Sequence, residues 1–264
     1  MTDKTIVILS LAILFSLTSF AESRETSPAN KNESSALLKD DKALAKEAFD
    51  KGMSYVKEKK LDEAIAEFTK ALESNPAYGE AYDLRGSIYA TKGNFDQAIS
   101  DFTNAIASNP NYTQLYSKRA AAYASKGDLN SAIADSTRAI ELNPKDTMAY
   151  SLRGYNYFNK RDFDKAIIDY DKAIELDPNN AYAYCFRGDA NFMKNNFEGA
   201  IADYTKAIAI NSNYGDAYSK RGITYFLQKD YDKAWDDVHK AEALRAAIDP
   251  KFFEDLKKAS GREK

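Results

Sequence analysis

Residues 147–180 read TMAYSLRGYNYFNKRDFDKAIIDYDKAIELDPNN, and this stretch decides the fold. Its apolar residues fall into two helical stripes. Tyr150, Gly154 and Tyr157 share one face of a first helix. After a short break at residues 160–162, Phe163, Ala166, Ile167, Tyr170, Ala173 and Ile174 line a second. Gly154 is placed where Ala166 can face it, so the two helix backbones are expected to approach closely. Pro178 is expected to close the segment, because the residue before a proline avoids helical backbone angles. The same pattern returns above and below at a 34-residue period (147 to 180, 181 to 214), the sequence signature of a stacked-repeat architecture.

The other copies lie in one register with it. They span about 45–78 (Gly52, Tyr55, Leu61, Ala64, Phe68, Ala71, Pro76) and 79–112 (Tyr82, Gly86, Tyr89, Phe95, Ala98, Phe102, Ala105, Pro110). They continue through 113–146 (Tyr116, Ala120, Tyr123, Leu129, Ala132, Ala139, Pro144), 181–214 (Tyr184, Gly188, Phe197, Ala200, Tyr204, Ala207) and 215–248 (Tyr218, Gly222, Tyr225, Tyr231, Ala234, Ala241). Ser136 replaces the second-helix aromatic of the third copy. The fifth departs most: Asn191 stands for a tyrosine, Ser212 for the closing proline, and Gly199 is expected to interrupt its second helix.

This order of aromatics, small residues and closing proline resembles the tetratricopeptide repeat, over roughly residues 45–248. The resemblance implies an all-α chain: a right-handed superhelical solenoid of six helix-turn-helix repeats. It also implies a concave groove lined by the first helices, with a protein or peptide segment as partner. Carried over residue by residue, the groove holds Ser151, Tyr155, Phe158 and Asn159, then Tyr182, Cys185, Asp189, Phe192 and Met193, then Ser219, Ile223, Phe226 and Leu227. Cys185 reads alternatively as a reactive thiol or, on its own residue type, as a buried small apolar side chain. The matching places of the second and third repeats are smaller and more polar, so the groove is expected to be aromatic towards its C-terminal half. An alternative reading is that Phe158, Phe192 and Phe226 only pack between neighbouring repeats. One branch of the family clamps a C-terminal carboxylate with lysine, asparagine and arginine. The equivalent places here hold Phe49, Met53, Leu84, Gln114 and Lys118, so that clamp is not expected.

Comparing the copies with one another exposes a charge pattern. The seventh place of each repeat is basic (Lys51, Arg85, Arg119, Arg153, Arg187, Arg221), and sixteen residues on stands an acid (Glu67, Asp101, Asp135, Asp169, Asp203, Asp237). A ladder of ion pairs bracing the two helices of each repeat is expected; the alternative is a row of arginines reading an anionic ligand.

A net charge of −3 over 264 residues argues against a dedicated nucleic-acid binder. One cysteine and one histidine leave no set for a disulfide, a cysteine- or histidine-based metal site or paired acid–base chemistry. No cofactor, catalytic residue or small-molecule substrate is expected, because the repeats leave no room for a catalytic domain. Residues 5–21 are uncharged and apolar, flanked by Lys4 and Glu22. As a helix, residues 5–20 would span about 24 Å, short of a hydrocarbon core of about 30 Å. With Ser19 and Ala21 at the −3 and −1 places, residues 1–21 read as a signal peptide, and the protein as exported, periplasmic or secreted. An uncleaved membrane anchor is the alternative, and membrane contact is expected only in that case.

Polar residues 22–41 read as a flexible linker and 42–248 as the repeat domain. Asp249 and Pro250 open a capping helix over 249–259, with 260–264 as a tail. The expected function is a non-catalytic interaction scaffold or adaptor; the alternative is an assembly protein that self-associates through its outer face or array ends.

Overall fold

The structure, a computed structural model, describes residues 34–262. The signal segment read at 1–21 lies outside the described residues. The chain divides into two compact units, up to Pro144 and from Lys145. The first holds α1 (Ser34–Lys57), α2 (Leu61–Ser74), α3 (Gly79–Thr91), α4 (Phe95–Ser108), α5 (Thr113–Lys126) and α6 (Leu129–Leu142). The second holds α7 (Thr147–Asn159), α8 (Phe163–Leu176), α9 (Ala181–Met193), α10 (Phe197–Ile210), α11 (Gly215–Leu227), α12 (Tyr231–Ala243) and α13 (Pro250–Ser260). No strand occurs among the described residues, and within each unit every helix packs on its neighbours in sequence. The fold is all-α, built from helix hairpins. Helix α1 starts at Ser34, inside the stretch expected as a linker, which corrects that boundary.

Each hairpin closes around small residues. The second helices bury alanine pairs seven residues apart, such as Ala64 with Ala71 and Ala200 with Ala207, leaving room for a ring between them. Phe68, Phe102, Tyr170 and Tyr204 fill that place with at most 1 % exposure. Burying such a ring contributes about 2–3 kcal/mol. The ring lies so near the first helix that a methyl group added at Gly188 would stand 2.7 Å from Tyr204, and one at Gly154 2.9 Å from Tyr170. The third repeat changes both partners together, with Ala120 for the glycine and Ser136 for the ring.

Turns between paired helices need a left-handed residue, supplied by Gly93 and Gly127 but also by Lys59, Arg161, Asn195 and Lys229 at φ near +60°. The second helices end one or two residues before the proline, at a C-cap asparagine or aspartate in extended conformation: Asn75, Asn109, Asn143 and Asp177. Asn211 ends α10 the same way although Ser212 follows it, so the stop does not depend on the proline. Gly199 does not interrupt α10 either. It lies in the first turn, where its N–H donates to the Asn196 side chain, and the helix runs through it.

Candidate functional site

The seventh-place arginines do more than join two helices. Nε and Nη2 of Arg85, Arg119, Arg153 and Arg221 donate in parallel to Asp101, Asp135, Asp169 and Asp237, at 2.7–2.9 Å. Arg187 meets Asp203 similarly, with Nη2 at 2.5 Å. The first repeat uses a looser pair, Lys51 and Glu67 at 3.3 Å, and Lys70 also reaches that carboxylate. The remaining nitrogen, Nη1, reaches the second helix of the preceding repeat: Arg85 to Thr69, Arg119 to Thr103, Arg187 to Asp171 and Arg221 to Thr205. One guanidinium thus ties three helices.

Tyrosines three residues before and four after flank it, as Tyr82 and Tyr89 do Arg85, at 5.7 and 5.9 Å. The carboxylates are nearly covered, and burial pushes the Asp237 carboxyl up against the opposing pull of Arg221. Every arginine fork is filled by the protein itself, which favours the brace over an anion-reading row.

A second set of contacts escaped sequence reasoning. Lys92 meets Asp62 at 2.5 Å, Lys126 meets Asp96, Lys194 meets Asp164, and Gln228 meets Glu198 at 3.0 Å, each linking adjacent repeats thirty residues apart. Arg262, just past α13, meets Asp232 at 2.5 Å with the same spacing. The cap therefore occupies the register of a further first helix, and Trp235 donates to Ser260 across that junction. The signal was a basic or amide residue at one fixed place, visible only when compared with the repeat before it.

The face formed by the first helices is where a partner was expected. In the second unit it exposes Met193 and Leu227 at 40 % and 46 %, and Met148 and Tyr182 at 47 % and 43 %. Asn159 is exposed, while Ser151 is half-buried with its hydroxyl on the Thr147 carbonyl. Tyr155 is half-buried, its ring edge-on to Phe186. Phe158, Phe192 and Phe226 are half-buried against Phe163, Phe197 and Tyr231, each within its own hairpin, and Phe226 also meets Phe252 of the cap. Packing accounts for much of their surface.

Cys185 is fully buried and cannot line the groove, a correction to its expected place. It faces inward onto the Tyr204 cluster, and burial pushes its thiol up to about 11, which makes it unreactive. Asp189 is tied down: it accepts from Lys220 and from the Tyr204 hydroxyl at 2.9 Å. Asn191, the odd residue of the fifth repeat, donates to Asp203 and accepts from Asn196, so it joins the brace where a tyrosine would have flanked it.

The first unit carries a matching pair, Asp83 and Lys118, at 2.6 Å and almost wholly buried. Around Asp83 opens a cleft of about 520 Å³ lined by Tyr78, Glu80, Ser108 and Tyr112 among others. Among the described residues no group of three His, Cys, Asp or Glu side chains could hold a metal ion.

Models of the tetratricopeptide repeat match residues 49–113, 84–147 and 148–180, and a TPR repeat model matches 188–229. The chain belongs to the tetratricopeptide repeat family. No curated protein matches it in sequence. Among solved structures it is similar to a tetratricopeptide repeat protein from Parabacteroides merdae ATCC 43184, at 20 % identity and TM-score 0.70, covering 83 % of this chain and 88 % of that one. It is also similar to MamA (28 % identity, TM-score 0.56, 61 % and 94 % covered). A third is YrrB, described as a TPR protein with an unusual peptide-binding site (25 %, 0.58, 69 % and 94 %). Tetratricopeptide repeat proteins are in general non-catalytic interaction scaffolds that bind protein or peptide partners.

Proposed function

We propose that this tetratricopeptide repeat protein is an exported adaptor whose first-helix face receives an extended segment of a partner protein. The observation that carries the reading is the contrast along that face in the second unit. Polar groups such as Asp189 are consumed internally by Lys220 and Tyr204, whereas Met193, Leu227, Met148 and Tyr182 keep 40–47 % of their surface in solvent. Exposed methionine and aromatic side chains suit adaptable partner contacts. The likeness to YrrB supports a peptide-like partner. Export rests on the apolar stretch 5–21 before Glu22. No helix among the described residues is long and apolar enough to cross a membrane.

The test is site-specific photo-crosslinking in the native exported fraction, with the reactive residue at Met193 and, as comparison, at Ile168, which is 65 % exposed on α8. A discrete protein captured from Met193 and not from Ile168 is expected. Capture from Ile168 alone, or of a second copy of this chain, would overturn the adaptor reading in favour of self-assembly.

A further inference from the structure

Three tyrosines stand at the last place of a repeat, just before the next first helix: Tyr78, Tyr112 and Tyr214. Two have their rings packed. Tyr78 stacks on Phe49 at 4.8 Å, and Tyr214 lies 5.2 Å from Tyr182, the second residue of its own repeat. In the second repeat that second place holds Glu80 instead of a ring, and no aromatic ring packs on Tyr112 among the described residues. The cleft of about 520 Å³ lies there, bounded by Tyr78, Gly79, Glu80, Asp83, Ser108 and Tyr112. In the fifth repeat the matching place holds Tyr182, whose ring packs on Tyr214, whereas here a carboxylate stands beside Tyr112.

The chemistry of the cleft selects its occupant. Asp83 is already neutralised by buried Lys118, so the charge left for a ligand is that of exposed Glu80, which has no ion-pair partner among the described residues. An anion would meet Glu80 with no uncommitted cation opposite, and a purely apolar group would strip water from that carboxylate without return. A planar cation satisfies both walls. The protein itself shows the arrangement: Arg221 lies between Tyr218 and Tyr225, at 5.7 and 5.8 Å, while its fork meets Asp237. Guanidinium stacks on rings and pairs with carboxylates where ammonium acts as a hydrated point charge.

We propose that this cleft receives an arginine side chain of a bound protein segment, its guanidinium against the Tyr112 ring and paired with Glu80. The proposal rests on the reading that the first-helix face takes a protein segment, and it names the chemistry of that segment in the first unit.

The test titrates the full chain, carrying ring-labelled tyrosine, with the peptide acetyl-Gly-Arg-Gly-amide. Its citrulline counterpart, of the same shape and uncharged, serves as the comparison. Tyr112→Phe assigns the resonance. A saturable shift of the Tyr112 ring signal with the arginine peptide is expected, weakened by about tenfold with citrulline and with Glu80→Gln. Glu80→Tyr recreates the Tyr182–Tyr214 arrangement in the second repeat, and should abolish the shift while leaving the melting temperature unchanged. No saturable shift, an equal shift with citrulline, or binding retained by Glu80→Tyr would each overturn the proposal. Crosslinking from Met193, in the other unit, reads the adaptor function separately. Capture there with a silent cleft removes only the arginine site, and loss of both removes the reading on which it rests.

Discussion

Lys118 and Arg119 are neighbours on α5, yet they belong to different kinds of structure. Arg119 is one rung of a contact set found in almost every repeat, and its guanidinium joins Asp135 to Thr103. Lys118 makes a pair with Asp83 that no other repeat of the first unit has. The second unit has its own version, Lys220 with Asp189, built from a different place on the preceding helix. What recurs at the 34-residue period is common to the hairpins; what occurs once, such as buried Lys118 with Asp83, joins one particular pair of repeats. The same contrast separates Glu80, which borders a cleft beside Tyr112, from Tyr182, whose ring packs on Tyr214.

The largest effects should come from cutting these two contacts in parallel. Lys118→Ala strands a nearly buried Asp83 carboxylate and should lower stability by about 3–5 kcal/mol. Arg119→Ala should lower it by about 2–3 kcal/mol, since the arginine is 16 % exposed and water can reach part of the site. Urea denaturation of both variants measures the difference. Unchanged stability in Arg119→Ala would remove the brace and restore the reading of the arginines as a ligand-binding row.

A smaller effect tests the coupled exchange seen in the third repeat. Gly188→Ala should destabilise by about 1–3 kcal/mol, because the new methyl group meets the Tyr204 ring at 2.7 Å. Introducing Gly188→Ala into Tyr204→Ser, which imitates Ala120 with Ser136, should carry little of that penalty. A double-mutant cycle reads the coupling, and additive losses would show that the two places are independent.

The smallest effect is pH-dependent and distinguishes repeats capped by aspartate from those capped by asparagine. Asp128, Asp162 and Asp230 accept hydrogen bonds at the starts of α6, α8 and α12, from Ser131 or from Lys165 and Lys233, and these hold their carboxyls below the ordinary value of 3.8. Their contribution is therefore in place above that value and is lost as pH falls through the lowered folded value. The melting temperature should decline below about pH 4, and replacing all three with asparagine should flatten that decline. Asn196 caps α10 in the same way and does not titrate.

The repeat unit was open to reading from residues 147–180 because helix pairing leaves a strict record of small, aromatic and small residues. Opposite signs sixteen residues apart were equally readable, and hydrogen bonds join those residues in the structure. The third arm of each arginine was not, because its acceptor is threonine in most repeats and aspartate in one, with no charge rule to follow. Cys185 was misplaced because helical spacing assigns a side chain to a face without saying how deeply the next helix covers it. Gly199 misled through propensity alone: in a capped first turn a glycine interrupts nothing. The cleft at Tyr112 depends on what is missing beside a ring, and a pattern of residues present does not display it.

The contact between Arg262 and Asp232 has a practical consequence for anyone who wishes to resize this protein. Because the terminal helix docks with the thirty-residue spacing that joins consecutive repeats within each unit, its seat is an interchangeable joint. A 34-residue cassette copied from 181–214 and spliced before Gly215 should keep the thirty-residue contacts on both sides, while the copy's Phe186 takes the place of Lys220 opposite the original Asp189. The length of the chain is thus an editable quantity, set by how many cassettes precede a reusable end piece.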